Sequence, residues 1–72
     1  MRTAAHLKPG EKAIVHSFSD DYLSIKLMEM GVLPGTEIEF QYAAPFGDPL
    51  CFRVSGYKLS LRINEAHTIS LN

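Results

Sequence analysis

Four side chains in this 72-residue sequence belong to the types that bind transition metals: His6, His16, Cys51 and His67. Typical zinc motifs place two such ligands roughly two to five residues apart, so that one segment supplies both. No two of these four residues have that spacing. His16 falls in a strand-like run and is expected at the surface, while His6 lies in the N-terminal segment. We therefore predict no metal site and no bound cofactor.

Serine, histidine and aspartate are also present, but without the motifs that make them catalytic. A Gly-x-Ser-x-Gly turn exposes a nucleophilic serine, and a glycine-rich loop ending in Lys-Ser/Thr cradles phosphates. A His-Glu-x-x-His helix places two zinc ligands on one face. None of these motifs occurs in the sequence. We therefore predict that the protein is not an enzyme, and that any nucleotide chemistry belongs to a partner.

The segment APFGDP could instead contact a partner protein. Its two prolines restrict the backbone and lack amide donors, Gly47 permits a turn, and Asp48 can accept bonds from nearby backbone amides. Phe46 either packs onto the domain, where its burial stabilises by about 1.5–3 kcal/mol, or stays exposed as an apolar anchor. We expect the packed arrangement for Phe46. The exposed anchor, which would make Phe46, Gly47 and Asp48 partner-binding residues, is the alternative.

A second candidate surface lies on a predicted helix from about Asp20 to Met30. Leu23, Leu27 and Met30 fall at i, i+4 and i+7, which places them on one face and predicts that they enter the core. Aspartates at the start suit the positive end of the helix dipole, and Gly31 suits the left-handed position that ends a helix.

Other residues of this helix face away from the predicted core and could meet a partner. They are Tyr22, Lys26 and Glu29. We expect an ordinary solvated face for these three side chains, and a partner-binding face is the alternative.

Strand patterns surround the helix. The runs 13–18, 37–42, 50–54, 57–63 and 67–71 alternate apolar and polar residues or are rich in strand-forming types. Alternation predicts that Tyr42, Tyr57 and Ile63 share the buried face of their strands, and that Cys51 lies opposite Leu50 and Phe52. Ser55-Gly56 predicts a tight antiparallel hairpin. About five strands with one helix favour a small barrel, and an open antiparallel sheet with a helix across it fits the same pattern.

Composition limits the class of protein. The net charge of -1 lacks the basic footprint of a protein that binds nucleic acid or an anionic membrane. No apolar run approaches the roughly 18 residues of a membrane span, and no signal peptide is recognisable. The single cysteine cannot form an intramolecular disulfide. We expect one cytoplasmic domain over residues 1–72, which reaches the inner face of the membrane only through a partner.

Two stretches of the sequence, KLMEMGVLPGTEIEF and APFGDPLCFRVSGYKLSLRINEAHTISL, resemble the FeoA family of small ferrous iron transport proteins. The most specific parts are residues 30–36, 44–49 and 59–66. The resemblance implies an SH3-like, mainly β barrel with one inserted helix and a short C-terminal helical turn. One departure is Ile25-Lys26, where the family usually has a basic pair, often with arginine. A lysine there loses the planar guanidinium that pairs bidentately with carboxylates.

The resemblance implies an accessory role in ferrous iron uptake, with the FeoB-type membrane transporter of Fe2+ as partner. The alternative is an SH3-like regulatory domain of a metal-dependent transcriptional repressor. That alternative needs a helix-turn-helix and a metal-binding dimer region, neither of which is recognisable, and Met1 lies close to the first strand. We expect a standalone monomer, with self-association through an exposed strand edge or Phe46 as the alternative.

Overall fold

The computed structural model describes residues 2–72, which form five strands, two α-helices and one 3₁₀ helix. The strands are β1 (Lys12–Phe18), β2 (Glu37–Ala43), β3 (Leu50–Val54), β4 (Tyr57–Leu61) and β5 (Ile69–Leu71). The helices are the 3₁₀ helix (Ala4–His6), α1 (Asp21–Glu29) and α2 (Ile63–Ala66). This confirms the mainly β class, the single helix between the first two strands, and the short helical turn near the C-terminus.

All five strands belong to one antiparallel sheet with the order β4-β3-β2-β1-β5. The edge strands β4 and β5 do not pair with each other, so the barrel is open. One core fills the sheet's concave side, and Phe40 and Phe52 meet there with ring centroids 5.4 Å apart. The buried hydrophobic residues of this core are Ala4, Leu7, Val15, Leu27, Val32, Ile38, Phe40, Leu50, Phe52, Val54, Leu61, Ala66, Ile69 and Leu71.

The ends of α1 follow the sequence signals. Asp20 caps the helix, because its Oδ1 accepts a 2.8 Å hydrogen bond from the Leu23 amide. At the other end Gly31 has φ +98°, and the Val32 amide donates back to the Leu27 carbonyl over 3.0 Å. This reversal is a Schellman ending, and it places Val32 in the core. The prediction that Met30 enters the core is wrong: Met30 follows the last helical residue and is 37% exposed.

One prediction for the middle of the sheet is also wrong. Tyr42 is 54% exposed rather than buried, because the register between β2 and β3 shifts between Phe40 and Tyr42. Cys51 lies on the opposite face of β3 from Leu50 and Phe52, as predicted, but that face is covered at this point and Cys51 is buried like its neighbours. Tyr42 is the cross-strand partner of Cys51 and lies beside it on the outer side of the sheet. The start of β3 is therefore buried on both faces.

The hairpin between β3 and β4 forms as predicted, with a two-residue turn at Ser55 (φ 51°) and Gly56 (φ 83°). Positive φ at both positions is the type I′ geometry that suits strand twist. Tyr57 closes this turn opposite Val54 and is 78% exposed, so the prediction of a buried Tyr57 is wrong. Ile63 was assigned to the strand but begins α2 and is half-buried.

Candidate partner-binding site

The outer face of α1 brings together the three helix residues that the sequence predicted. Tyr22, Lys26 and Glu29 line a shallow depression of about 290 Å³ together with Ile25. Tyr22 is 82% exposed and Ile25 is 61% exposed. Ile25 was not among the predicted site residues, although its position one turn after Tyr22 places it on the same face. The face is therefore apolar at its centre and charged at one side.

Lys26 is already engaged within the domain. Its Nζ lies 2.7 Å from Oε2 of Glu65 on α2. Glu65 is only 6% exposed, and its Oε1 accepts a 2.8 Å hydrogen bond from the Arg62 amide. The Lys26 ammonium and the Arg62 amide together hold the pKa of the Glu65 carboxyl below its usual range. Lys26 thus has a structural role that the sequence did not suggest.

Glu65 was not among the residues predicted from the sequence. A glutamate at the third position of a helix can return its side chain to the amide that precedes the helix, as a capping-box glutamate does. That spacing, Arg62 to Glu65, was readable in the sequence. The pairing with Lys26 was not readable, because 39 residues separate the two side chains.

The loop between β2 and β3 presents Phe46 entirely to solvent, at 100% exposure. The Gly47 amide donates to the Ala44 carbonyl over 2.7 Å, so residues 44–47 form a closed turn. The Ala44 amide in turn donates to the Pro49 carbonyl over 3.0 Å. Phe46 occupies the corner of this turn, where its side chain points away from the core. The expected packing of Phe46 onto the domain is therefore wrong, because the side chain is exposed.

Asp48 connects the same loop to α2. Its Oδ1 accepts a 3.1 Å hydrogen bond from the amide of Ile63, 15 residues further along the chain. The expected bond to a nearby amide of the loop is replaced by this bond to the first residue of a helix. Asp48, Pro49 and Arg62 also line a second depression, of about 230 Å³. Both predicted groups of residues thus contact α2, one through Glu65 and the other through Ile63.

Of the four metal-ligand candidates, the structure brings two together. The rings of His6 and His67 meet edge-to-face with centroids 5.6 Å apart, a contact that the sequence did not predict. Nδ1 of His6 accepts a 3.0 Å hydrogen bond from the Thr3 amide and so supports the 3₁₀ helix. Within residues 2–72, no group of three or more His, Cys, Asp or Glu side chains could hold a metal ion.

The family of the chain follows from its sequence match. The model of the FeoA domain family matches residues 2–72. The chain belongs to the FeoA family. No curated protein matches it.

Among the helices of the described residues, none is long and apolar enough to cross a membrane.

Solved structures agree with this assignment. A FeoA-like protein from Clostridium acetobutylicum is 34% identical with a TM-score of 0.86, and the match covers 97% of this chain and 83% of that one. FeoA of Stenotrophomonas maltophilia, crystallised with zinc, is 27% identical with a TM-score of 0.85, and the match covers 100% of this chain and 91% of that one. That protein is described as a prokaryotic SH3-domain protein and a candidate activating factor of ferrous iron transport. The SH3-like fold is therefore confirmed.

A repressor shares the fold as well. A manganese-dependent transcriptional repressor has a TM-score of 0.87 at 15% identity, and the match covers 97% of this chain but 35% of the repressor. At that identity the likeness concerns the fold alone.

Proposed function

We propose that this FeoA-family chain is a non-catalytic accessory module of ferrous iron uptake, which binds a FeoB-type Fe2+ transporter through the Phe46 loop and the outer face of α1. The family assignment and the described role of the Stenotrophomonas maltophilia relative support an accessory role in transport. The observation that carries the binding surface is the complete exposure of Phe46 on a loop held at both ends.

An exposed phenylalanine gains most when a partner covers it. Removing a phenylalanine side chain from water stabilises a complex by about 1.5–3 kcal/mol. The loop is held by the Gly47 and Asp48 hydrogen bonds, so little conformational entropy is lost when a partner binds it. A fixed aromatic anchor of this kind is typical of interface hot spots. Phe46, Gly47 and Asp48 form the first part of the proposed surface.

The α1 face supplies the second part. Tyr22 and Ile25 offer apolar area, and Glu29 offers a charge at the edge, where it fixes orientation more than affinity. Lys26 is 56% exposed at its side chain despite its bond to Glu65, so its ammonium remains available to a partner acceptor. The interface is small and transient, because a domain of this size can bury only a small area of its surface against a partner. The protein works in the cytoplasm, at the inner face of the membrane where its partner is anchored.

The test is a titration of the isotope-labelled protein with the cytosolic nucleotide-binding domain of the transporter, with GDP and with a GTP analogue. We expect amide shifts at residues 44–49 and 22–29, and nucleotide dependence would indicate regulation. Phe46→Ser should weaken binding about tenfold or more, which corresponds to at least about 1.4 kcal/mol.

Leu33→Ser is the control, since Leu33 is an exposed apolar residue that lies outside both the proposed transporter surface and β4. Equal binding by the wild type and Phe46→Ser would exclude the loop as the anchor. Absence of shifts in both nucleotide states at millimolar concentration would exclude this domain of the transporter as the partner.

A further inference from the structure

The two edges of the sheet are not equally covered. The outer side of β5 pairs with the N-terminal segment, because Thr3 bridges Ser70 and the Leu71 amide donates to the Arg2 carbonyl over 3.0 Å. The outer side of β4 has no such neighbour: within residues 2–72 β4 pairs with β3 alone. One edge of the sheet is therefore open to pairing with another strand.

The hairpin geometry identifies the backbone groups on the open edge. In a two-residue hairpin the two residues that flank the turn exchange both of their backbone hydrogen bonds. Along the ladder, such hydrogen-bonded pairs alternate with pairs that form no hydrogen bonds to each other. Val54 and Tyr57 are the flanking residues, so Leu59 and Leu61 also bond inward to β3. The amides and carbonyls of Lys58 and Ser60 consequently point outward. Both of these residues are exposed.

Natural proteins protect such edges with prolines, bulges, charged side chains or very short strands. β4 contains no proline, and its register with β3 runs from Tyr57 to Leu61 without a bulge. Lys58 is the one charged side chain in the strand. The edge is thus regular over its whole length and only weakly protected.

We propose that a second copy of this chain pairs with β4 in antiparallel fashion, with the two-fold axis at Leu59. This register sets Lys58 opposite Ser60 of the second copy, so all four outward backbone groups of each strand are bonded. An axis at Lys58 would place two lysines face to face, and an axis at Ser60 would place Lys58 opposite Arg62. Like charges directly opposite each other are destabilising, so the axis at Leu59 is the favoured register.

The same register accounts for an exposed aromatic side chain. Tyr57, 78% exposed in the monomer, comes to lie opposite Leu61 of the second copy. The half-buried Leu59 side chains of the two copies meet at the axis. The self-complementary strand is the reason to assign this edge to a second copy rather than to a segment of another protein. The result is a continuous ten-stranded sheet, twice the five strands of one chain.

The experiment measures the mass of the wild-type protein by sedimentation equilibrium from micromolar to millimolar concentration, alongside amide shifts and hydrogen exchange. We expect the mass to rise towards twice the monomer value. The amides of Lys58 and Ser60 should shift and become protected over the same concentration range. A constant monomer mass at millimolar concentration would overturn the proposal, as would concentration-dependent shifts confined to the Phe46 loop.

Ser60→Pro removes one outward amide and leaves the inward bonds of β4 intact, so it should reduce association at least tenfold. Ser60→Ala keeps the amide and should associate like the wild type. Lys58→Glu should also leave association unchanged, because Lys58 faces a serine. Stronger association of Lys58→Glu would contradict the register with the axis at Leu59. Unchanged association of a folded Ser60→Pro would contradict pairing through the outer edge of β4. Protection of these two amides by the transporter domain, with no self-association, would assign the edge to that partner instead.

Discussion

Replacing Lys26 with methionine would remove the side chain that forms an ion pair with Glu65. Methionine keeps the length and the apolar stem of lysine, so the packing of α1 is preserved. The Glu65 carboxylate, 7% exposed at its side chain, would keep only the Arg62 amide as a donor. The change therefore tests the electrostatic part of the link between α1 and α2.

The size of the effect lies between two limits. Removing one partner of a buried ion pair costs about 3–5 kcal/mol, and an exposed pair contributes about 0.2–1 kcal/mol. Here the carboxylate is buried but the ammonium is 56% exposed and screened by water. We expect Lys26→Met to lower the free energy of unfolding by about 1–2 kcal/mol, or the Tm by about 5–15 °C in a domain of this size.

The loss depends on pH in a defined direction. The pKa of Glu65 is lowered in the folded protein, mainly by the Lys26 ammonium and then by the Arg62 amide. A lowered carboxyl pKa stabilises the fold above the unfolded-state pKa, and this stabilisation disappears as the pH falls through the folded-state pKa. The difference between wild type and Lys26→Met should therefore be full at pH 7 and shrink below about pH 4.3.

Urea unfolding at neutral and acidic pH measures this difference, and Glu65→Gln completes a double-mutant cycle. Glutamine keeps the acceptor for the Arg62 amide and lets Lys26 return to water, so Glu65→Gln should cost less than Lys26→Met. In the Glu65→Gln background, Lys26→Met should cost almost nothing. Arg2→Met is the control, because its partner Glu11 is 35% exposed at its side chain, against 7% for Glu65, and the midpoint should hardly change. An equal penalty for Lys26→Met at both pH values would refute the electrostatic explanation.

Three further substitutions test other features of the fold. Phe46→Ser should leave the free energy of unfolding within about 0.5 kcal/mol of wild type, because a fully exposed side chain loses no packing; thermal unfolding measures this. Asp48→Ala should cost about 0.5–1.5 kcal/mol and speed amide exchange at Ile63, while Asp48→Asn keeps the acceptor and most of the stability. Gly31→Ala should cost about 1–2 kcal/mol by calorimetry, from the left-handed backbone alone, since no atom lies within 4 Å of the added Cβ.

Local patterns in the sequence were sufficient for the five strands and α1, but they did not indicate the 3₁₀ helix Ala4–His6. The acidic start of α1, the Gly31 ending and the Ser55-Gly56 turn are contained in a few adjacent residues, and each formed as predicted. The alternation of apolar and polar residues predicted the wrong exposure for Tyr42, because the register between β2 and β3 shifts next to this residue. Such a shift depends on the neighbouring strand, and the pattern of one strand does not indicate it. The alternation failed at Tyr57 because the residue flanks a hairpin turn beyond the edge of the core.

The candidate site was less predictable for the same reason. The sequence indicated Phe46 and the α1 face as candidates but could not decide whether Phe46 was packed, since that depends on where the loop lies relative to the core. The contacts of Lys26 with Glu65 and of Asp48 with Ile63 join residues far apart in the chain. Such pairs follow from the tertiary fold, and no local pattern indicates them.

The shortness of α2 has a consequence for folding kinetics. With four residues, it is too short to nucleate alone, because the first helical turn fixes several dihedral angles for one hydrogen bond. Its two side-chain bonds to other elements span 39 and 15 residues, so they can form only after the intervening chain has closed. We expect α2 to dock after the rate-limiting transition state. Lys26→Met and Asp48→Ala would then accelerate unfolding while the folding rate stays nearly constant.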